Sequence, residues 1–375
     1  MGILSQILEQ LQAISYKHII MWAIGALLIY LAIKKDMEPA LLLPMGFGAI
    51  LVNLPFSGAL TQGTEIGALS KLFDIGIGEE SGELFPLLLF IGIGAMIDFG
   101  PLLSNPKLLL FGAAAQFGIF FTLSMARLFG FELNDAASIA IIGAADGPTS
   151  IVVAKLLNSQ FIGAIMVAAY SYMALVPIIQ PPVIKLLTTK KERLIRMPYE
   201  AKNVSKLTRI LFPIILTVIV GIIAPKSVSL IGFLMFGNLL RECGVLDSLS
   251  ETAQKVLANL ITLLLGITIA TQMQADKFIK KETLLIIALG LVAFIFDTVG
   301  GVLFAKLINL FSKKKINPMI GAAGISAFPM SARVIHKMGL AEDPQNFLLM
   351  HTVGVNVSGQ IASVIAGGLI VALVS

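Results

Sequence analysis

The sequence predicts an all-α polytopic membrane protein: two inverted repeats of about five transmembrane helices, each repeat carrying a broken re-entrant hairpin. Three observations predict it. The 375 residues are 57% hydrophobic and only 13% charged, with a mean hydropathy of +0.92; soluble chains sit near half apolar and a quarter charged. Ten apolar runs are long enough to cross a bilayer, which takes roughly 20 residues and fewer where protein shields the ends. Two further apolar runs, 136–158 and 317–338, are broken at their centres by "GAADGPTS" and "GAAGISAFPMS".

The spans fall at 18–34, 38–54, 85–99, 107–128 and 161–187, then at 208–224, 228–242, 255–274, 283–310 and 343–374. The two broken runs align with Gly143 over Gly321, an offset of 178, as "IIGAADGPTSIVVAKLL" over "MIGAAGISAFPMSARVI". Upstream, "LLLFIGIGAMIDFGPLL" matches "ITLLLGITIATQMQADKF", and "EPALLLPMGFGAILVNL" matches "KSVSLIGFLMFGNLLREC". Similarity that is weak at each residue but persistent in order is the form transporter repeats take. The repeats are assigned to residues 1–190, with the hairpin 136–158, and 207–375, with the hairpin 317–338. A basic linker, 191–206, joins them.

Charge sets the orientation. "TTKKERLIRMPYEAKNVSK" (188–206) carries six basic residues and reads as cytoplasmic, as do "KKD" at 34–36 and "KKK" at 313–315. The 55–84 loop, with five acidic residues and one lysine, belongs outside. These placements agree only if both broken runs are hairpins, the first entering from outside and the second from the cytoplasm. With five spans each, the halves are then inverted. "DKFIKK" at 276–281 dissents, as a short basic loop late in the chain.

The 27 Lys and Arg against 22 Asp and Glu gather in loops, so they mark topology and no nucleic-acid partner is expected. Cys243 is the single cysteine, which excludes an internal disulfide and leaves it a packing role. His18, His336 and His351 are too scattered for a metal cluster. "MGILSQILEQLQAISYKHII" lacks the basic start and small-residue cleavage site of a signal peptide. The protein is expected in the inner (cytoplasmic) membrane.

Irregular backbone at membrane depth survives only where it lines a protein-enclosed or watery cavity. Two hairpins entering from opposite faces bring free carbonyls, helix ends and hydroxyls together near the midplane, the ingredients of an ion site. A hard cation such as Na+ takes oxygen ligands; the first tip offers Asp146, Thr149 and Ser150, the second Ser326 and Ser331. Intramembrane carboxylates are costly and usually functional, and the alternative for Asp146 is a capping role. Asp297, central in "VAFIFDTVGG", is the second acid; Asp98 is placed at an interface. In "VGVNVSGQIASVIAGG" (353–368), Asn356, Ser358, Gln360 and Ser363 stand on a Gly-rich helix, with Asn356, Gly359 and Ser363 on one face. Close helix packing alone also explains small and polar residues there. Tyr170 and Tyr172 lie near mid-span, where a buried phenol needs a partner. Thr271, Gln272 and Gln274 form a smaller polar patch.

"GAADGPTSI", followed by "AAYSYMALVPIIQPP" and by "VNVSGQIASVIAGG" near the C-terminus, resembles the membrane-embedded beta subunit of the sodium-pumping, biotin-dependent decarboxylases. These act on oxaloacetate, methylmalonyl-CoA or glutaconyl-CoA. The resemblance covers nearly the whole chain, and the Asp-Gly-Pro hairpin is its most specific part. It implies that a carboxyltransferase alpha subunit moves CO2 onto biotin on a carrier subunit. The beta subunit then decarboxylates that carboxybiotin, exports Na+ and takes up a proton, beside a small single-span membrane subunit. This chain has no Met-Lys-Met biotin site and no sizeable soluble domain, so both are expected on partners. By the resemblance, Asp146 matches the family's essential aspartate, binding Na+ or the consumed proton, and Tyr172 its tyrosine, a proton donor. Asn356 with Ser358 and Ser363 matches its ion-path motif. A basic residue expected further along the last helix is missing, since none follows Lys337.

The runner-up is an independent Na+-coupled secondary transporter of a small carboxylate. It calls for an arginine at the tips, and only Arg333, on the far arm of the second hairpin, comes near. The compact length leans toward an acyl-CoA decarboxylase. The Gly-rich helices permit a homo-oligomer in the lipid bilayer.

Overall fold

The computed structural model describes residues 3–78, 83–198 and 203–374, with side chains from Leu8 onward. Glu79 and Glu80 of the acidic loop, and Lys202 of the basic linker, lie outside the described residues. Among the described residues every regular element is helical, apart from one isolated bridge between Gln62 and Glu65.

Fourteen segments carry the fold, seven in each half. The first half holds α1 (Tyr16–Lys35), α2 (Pro39–Val52), α3 (Leu84–Met96), α4 (Pro106–Leu128), α5 (Leu133–Ala144), α6 (Gly147–Leu156) and α7 (Ile162–Leu187). The second holds α8 (Lys206–Ile223), α9 (Val228–Glu242), α10 (Asp247–Gln272), α11 (Lys281–Phe311), α12 (Pro318–Gly324, a 3-10 helix), α13 (Met330–Glu342) and α14 (Leu349–Val374). Prolines open α2 and α4, where a missing N–H leaves no helical bond unmade. His18 accepts a hydrogen bond from the Ser15 amide at 3.0 Å, closing the start of α1.

Among the described residues, seven helices are long and apolar enough to cross a membrane: α1, α4, α7, α8, α10, α11 and α14. The other three expected spans form shorter helices, α2, α3 and α9, of 14, 13 and 15 residues. At about 1.5 Å per residue these measure roughly 20 Å, short of the roughly 30 Å of a hydrocarbon core. Their neighbours make up for it, since α3 packs along α9 and α2 along α10.

Contacts recur when the halves are exchanged. The α3–α9 pair answers the α10–α2 pair, and α7 on α11 answers α14 on α4. Helices α4 and α11 pack on each other. Together α4, α7, α11 and α14 enclose both broken segments. The α11–α12 contact is so close that Gly301 and Gly321 touch backbone to backbone. A Cβ on Gly321 would stand 2.0 Å from the Gly301 carbonyl oxygen.

The two ends of each broken segment are tied together. In the first, Asn134 Nδ2 donates to the Leu157 carbonyl at 3.1 Å, and Asp135 Oδ1 accepts from Ser159 Oγ at 2.7 Å and the Gln160 amide at 3.0 Å. In the second, Asn317 before α12 and Asn346 after α13 both donate to the Arg193 carbonyl, at 2.8 and 2.9 Å. The basic linker therefore does more than carry charge. Arg193 pairs with Glu342 at 2.6 Å, Arg196 with Asp343 at 2.5 Å, and Lys306 with Glu192 at 3.1 Å, clasping the base of the second hairpin. The hydrogen bond from Arg196 holds the Asp343 carboxyl below the usual carboxylate range. A depressed carboxylate stabilises above its ordinary range and loses that contribution as pH falls through the lowered value, so this pair weakens in acid.

Arg193→Ala removes the partner of Glu342, whose side chain is 17% exposed. A cost of about 1–3 kcal/mol follows from stranding a largely buried charged acceptor. The check is thermal unfolding of the purified protein in detergent, where Lys191→Ala, on an exposed residue of the same turn, leaves the midpoint unchanged.

Candidate functional site

The first hairpin turns at Ala145 and Asp146. Ala145 is held at φ +51°, in the left-handed region that alanine rarely adopts, at a cost of roughly 1–2 kcal/mol. Its amide closes onto the Ile142 carbonyl at 3.0 Å. Asp146 then caps α6: Oδ1 accepts the Thr149 amide at 3.3 Å, and its carbonyl accepts Ser150 N at 2.9 Å and Ser150 Oγ at 2.8 Å. Gly147 and Pro148 occupy the first two helical positions, where the proline needs no donor.

Capping uses one carboxylate oxygen. The other, Oδ2, accepts three side-chain donors: Thr149 Oγ1 at 2.8 Å, Gln360 Nε2 at 2.9 Å and Ser363 Oγ at 2.9 Å. Asp146 is 3% exposed, and Thr149 and Ser363 are fully buried. Four donors on a carboxylate sealed from solvent can hold its charge, and each hydroxyl keeps lone pairs free for a cation.

The tips meet. The Ser326 amide of the second tip donates to the Ala144 carbonyl of the first at 2.9 Å, and Ser326 Oγ donates to the Gly359 carbonyl at 3.0 Å. Helix α14 holds both. Asn356 Nδ2 donates to the Ala323 and Ile325 carbonyls at 3.1 and 2.7 Å, leaving its Oδ1 without a partner among the described residues. Gln360 and Ser363, one and two turns on, reach Asp146. Gln360 is the contact that the sequence-derived set omitted; it lies four residues after Asn356 and three before Ser363, on the same helical face.

Other predicted residues sit around this centre. Ser150 bonds the Asp146 carbonyl rather than its carboxylate. The Ser358 hydroxyl donates to Val355 in its own helix at 2.6 Å. Ser331 donates to Gln180 Oε1 at 2.9 Å, in a network behind the second tip where Gln180 Nε2 also bonds the Ala322 carbonyl. The Tyr172 hydroxyl donates to the Ile287 carbonyl of α11. Asp297 caps a break in α4 at Gln116 by accepting the Ile119 amide at 3.1 Å. Its Oδ2 has no partner among the described residues and faces Gly143, where a Cβ would stand 2.8 Å away. Asp98 lies at the periphery, 3.7 Å from Arg209. Arg333 is exposed. Gln272, from the smaller polar patch, lines a cavity of about 560 Å3 with Asp74, Ile151, Lys155 and Gly163, beside the first hairpin.

Against this geometry stands a profile match over residues 17–374 to the family described as "Na+-transporting oxaloacetate decarboxylase beta subunit". The chain belongs to that family. Among similar proteins, the methylmalonyl-CoA decarboxylase subunit beta of Propionigenium modestum is 48% identical, over 95% of this chain and 94% of its own length. The glutaconyl-CoA decarboxylase subunit beta of Acidaminococcus fermentans is 48% identical over 96% and 94%. The probable oxaloacetate decarboxylase beta chain of Vibrio cholerae is 44% identical over 94% of each. As a beta subunit of the sodium-transporting decarboxylases, the chain is a multi-pass membrane component of a translocating enzyme. Among the described residues of this beta subunit, the carboxylate with the most hydrogen-bond donors is the one at the first tip.

Proposed function

We propose that this beta subunit decarboxylates carboxybiotin presented by a biotin carrier subunit and couples the reaction to Na+ export with proton uptake. A carboxyltransferase alpha subunit loads the biotin, and a small single-span subunit completes the membrane part. The observation that carries the reading is the Asp146 carboxylate. It is buried at the meeting of two broken segments and surrounded by Thr149, Gln360 and Ser363 from two different helices.

Decarboxylation breaks the bond between the ureido nitrogen and the carboxyl carbon. The electron pair stays on nitrogen, which takes a proton as CO2 leaves. A proton held at Asp146 suits that step, and Na+ held there excludes the proton, so one carboxylate binds either. With Na+ on Oδ2, the Thr149 and Ser363 hydroxyls rotate to offer lone pairs instead of protons. Asn356 Oδ1 and the tip carbonyls are further oxygens for the path.

In this reading residues 1–190 and 207–375 are inverted repeats, and the reciprocal contacts and the two closed hairpins support it. The first hairpin enters from outside. The second, clasped by the basic linker 191–206, enters from the cytoplasm across the inner membrane. An independent carrier of a small carboxylate needs a cation buried at the tips, and Arg333, one turn beyond the second tip, is exposed. An acyl-CoA substrate is favoured over oxaloacetate. The methylmalonyl- and glutaconyl-CoA relatives align over 356–377 positions, close to the chain's 375 residues. The oxaloacetate relatives need 408–421 and so carry inserted segments.

The test is reconstitution of the assembled complex into sealed vesicles with three substrates. Methylmalonyl-CoA or glutaconyl-CoA, and not oxaloacetate, is expected to release CO2 and drive 22Na+ uptake. Omitting Na+ stops both. CO2 release without Na+ dependence would remove the coupling.

A further inference from the structure

We infer that the Tyr170 phenol is an oxygen ligand of the cation bound at Asp146, supplied by a third helix. The inference rests on the reading that Asp146 holds the ion, and deepens it. Tyr170 projects from α7 and is 1% exposed, yet its hydroxyl has no hydrogen-bond partner among the described residues. Buried phenol hydroxyls ordinarily find one.

Its place explains the vacancy in its bonding. The hydroxyl end of the ring lies over Gly147, the residue after Asp146. A Cβ there would stand 2.4 Å from Tyr170 Cζ and 2.5 and 2.6 Å from the two Cε atoms. Only a glycine lets the phenol come so close to the tip, and the phenol lies within electrostatic reach of the Asp146 carboxylate. The carboxylate already accepts donors from α6 and α14, and none from α7. The phenol brings two oxygen lone pairs from a third helix. A hard cation, which takes oxygen ligands, would use the carboxylate and the phenol together.

Tyr172 offers the contrast within the same helix. Two residues on, it faces another way, with its hydroxyl donating to the Ile287 carbonyl and its ring against Gly290. One turn along α6 from Gly147, Ile151 shares an apolar cluster with Tyr170 and lines the cavity of about 560 Å3.

The test is Tyr170→Phe in the assembled, reconstituted complex, with decarboxylation rates measured against Na+ concentration. The half-saturating Na+ concentration is expected to rise about tenfold, the loss of one neutral ligand, with the maximal rate within about twofold of the parent. Tyr30→Phe, at an exposed phenol on α1, leaves half-saturation unchanged in the same assay. An unchanged half-saturation in Tyr170→Phe overturns the inference, as does a lower maximal rate with the same Na+ dependence. Failure of the variant to assemble overturns it too, because it would reveal a structural partner for the hydroxyl. If Asp146→Asn keeps full Na+-dependent turnover, the ion-site reading itself falls. If that variant is dead and Tyr170→Phe is unaffected, only the ligand assignment falls.

Discussion

Asp146→Asn is expected to lower Na+-dependent carboxybiotin decay by at least about 100-fold, the lower end of what a positioned acid contributes, while the complex still assembles. Asparagine and aspartate cap helices about equally well, so the bond from the Thr149 amide survives. What goes is the charge. The three donors on Oδ2 would face a neutral amide, which neither attracts Na+ nor carries a proton to the ureido nitrogen. The assay is single-turnover loss of carboxybiotin, with and without Na+, on complexes matched for subunit content. Retained turnover would remove Asp146 from the chemistry and leave it a cap.

The largest structural effect is expected at Gly321. Gly321→Ala places a Cβ 2.0 Å from the Gly301 carbonyl oxygen, inside any tolerable contact, and the obstacle is backbone that cannot rotate away. Helix α12 must then lift from α11, carrying Ile325 and Ser326 off the Asn356 amide and the first tip. A destabilisation of about 3 kcal/mol or more, the upper part of the usual overpacking range, should appear as loss of folded protein in detergent. Gly232→Ala is the control. Its Cβ would meet only Thr217 Cγ2, at 3.8 Å, and helix propensity favours alanine there by about 1 kcal/mol. Equal yields from the two variants would show that the second hairpin is not seated by this contact.

These residues also show how far the sequence carries. Hydropathy located the long helices and the two broken segments, because a bilayer imposes length and apolarity and clustered glycine and proline interrupt a helix. Asp146 with Thr149 was legible for the same reason, since both stand in the first turn after the break. Gln360 was harder, because the helical face could be drawn through Gly359 or through Gln360, and only the position of the first tip decides. Tyr170 and Tyr172 differ by two residues and so face nearly opposite ways. Which phenol meets the tip depends on where α11 packs. The break at Gln116 has no proline to mark it, so the capping role of Asp297 could not be read from "VAFIFDTVGG" alone. The clasp of Arg193 and Arg196 on Glu342 and Asp343 was hidden for another reason: clustered basic residues already had a sufficient explanation as a topology signal.

The central claim is that Na+ and a proton compete for Asp146, and carbodiimide modification tests it most directly. Carbodiimides react with protonated carboxyls in apolar surroundings, so a bound cation blocks the reaction. The complex is labelled across a series of Na+ concentrations and Asp146 is followed by mass spectrometry of its peptide. Labelling of Asp146 that Na+ suppresses, with half-protection at the concentration that half-saturates decarboxylation, is the predicted result. Labelling indifferent to Na+, or protected equally by K+, would contradict the account.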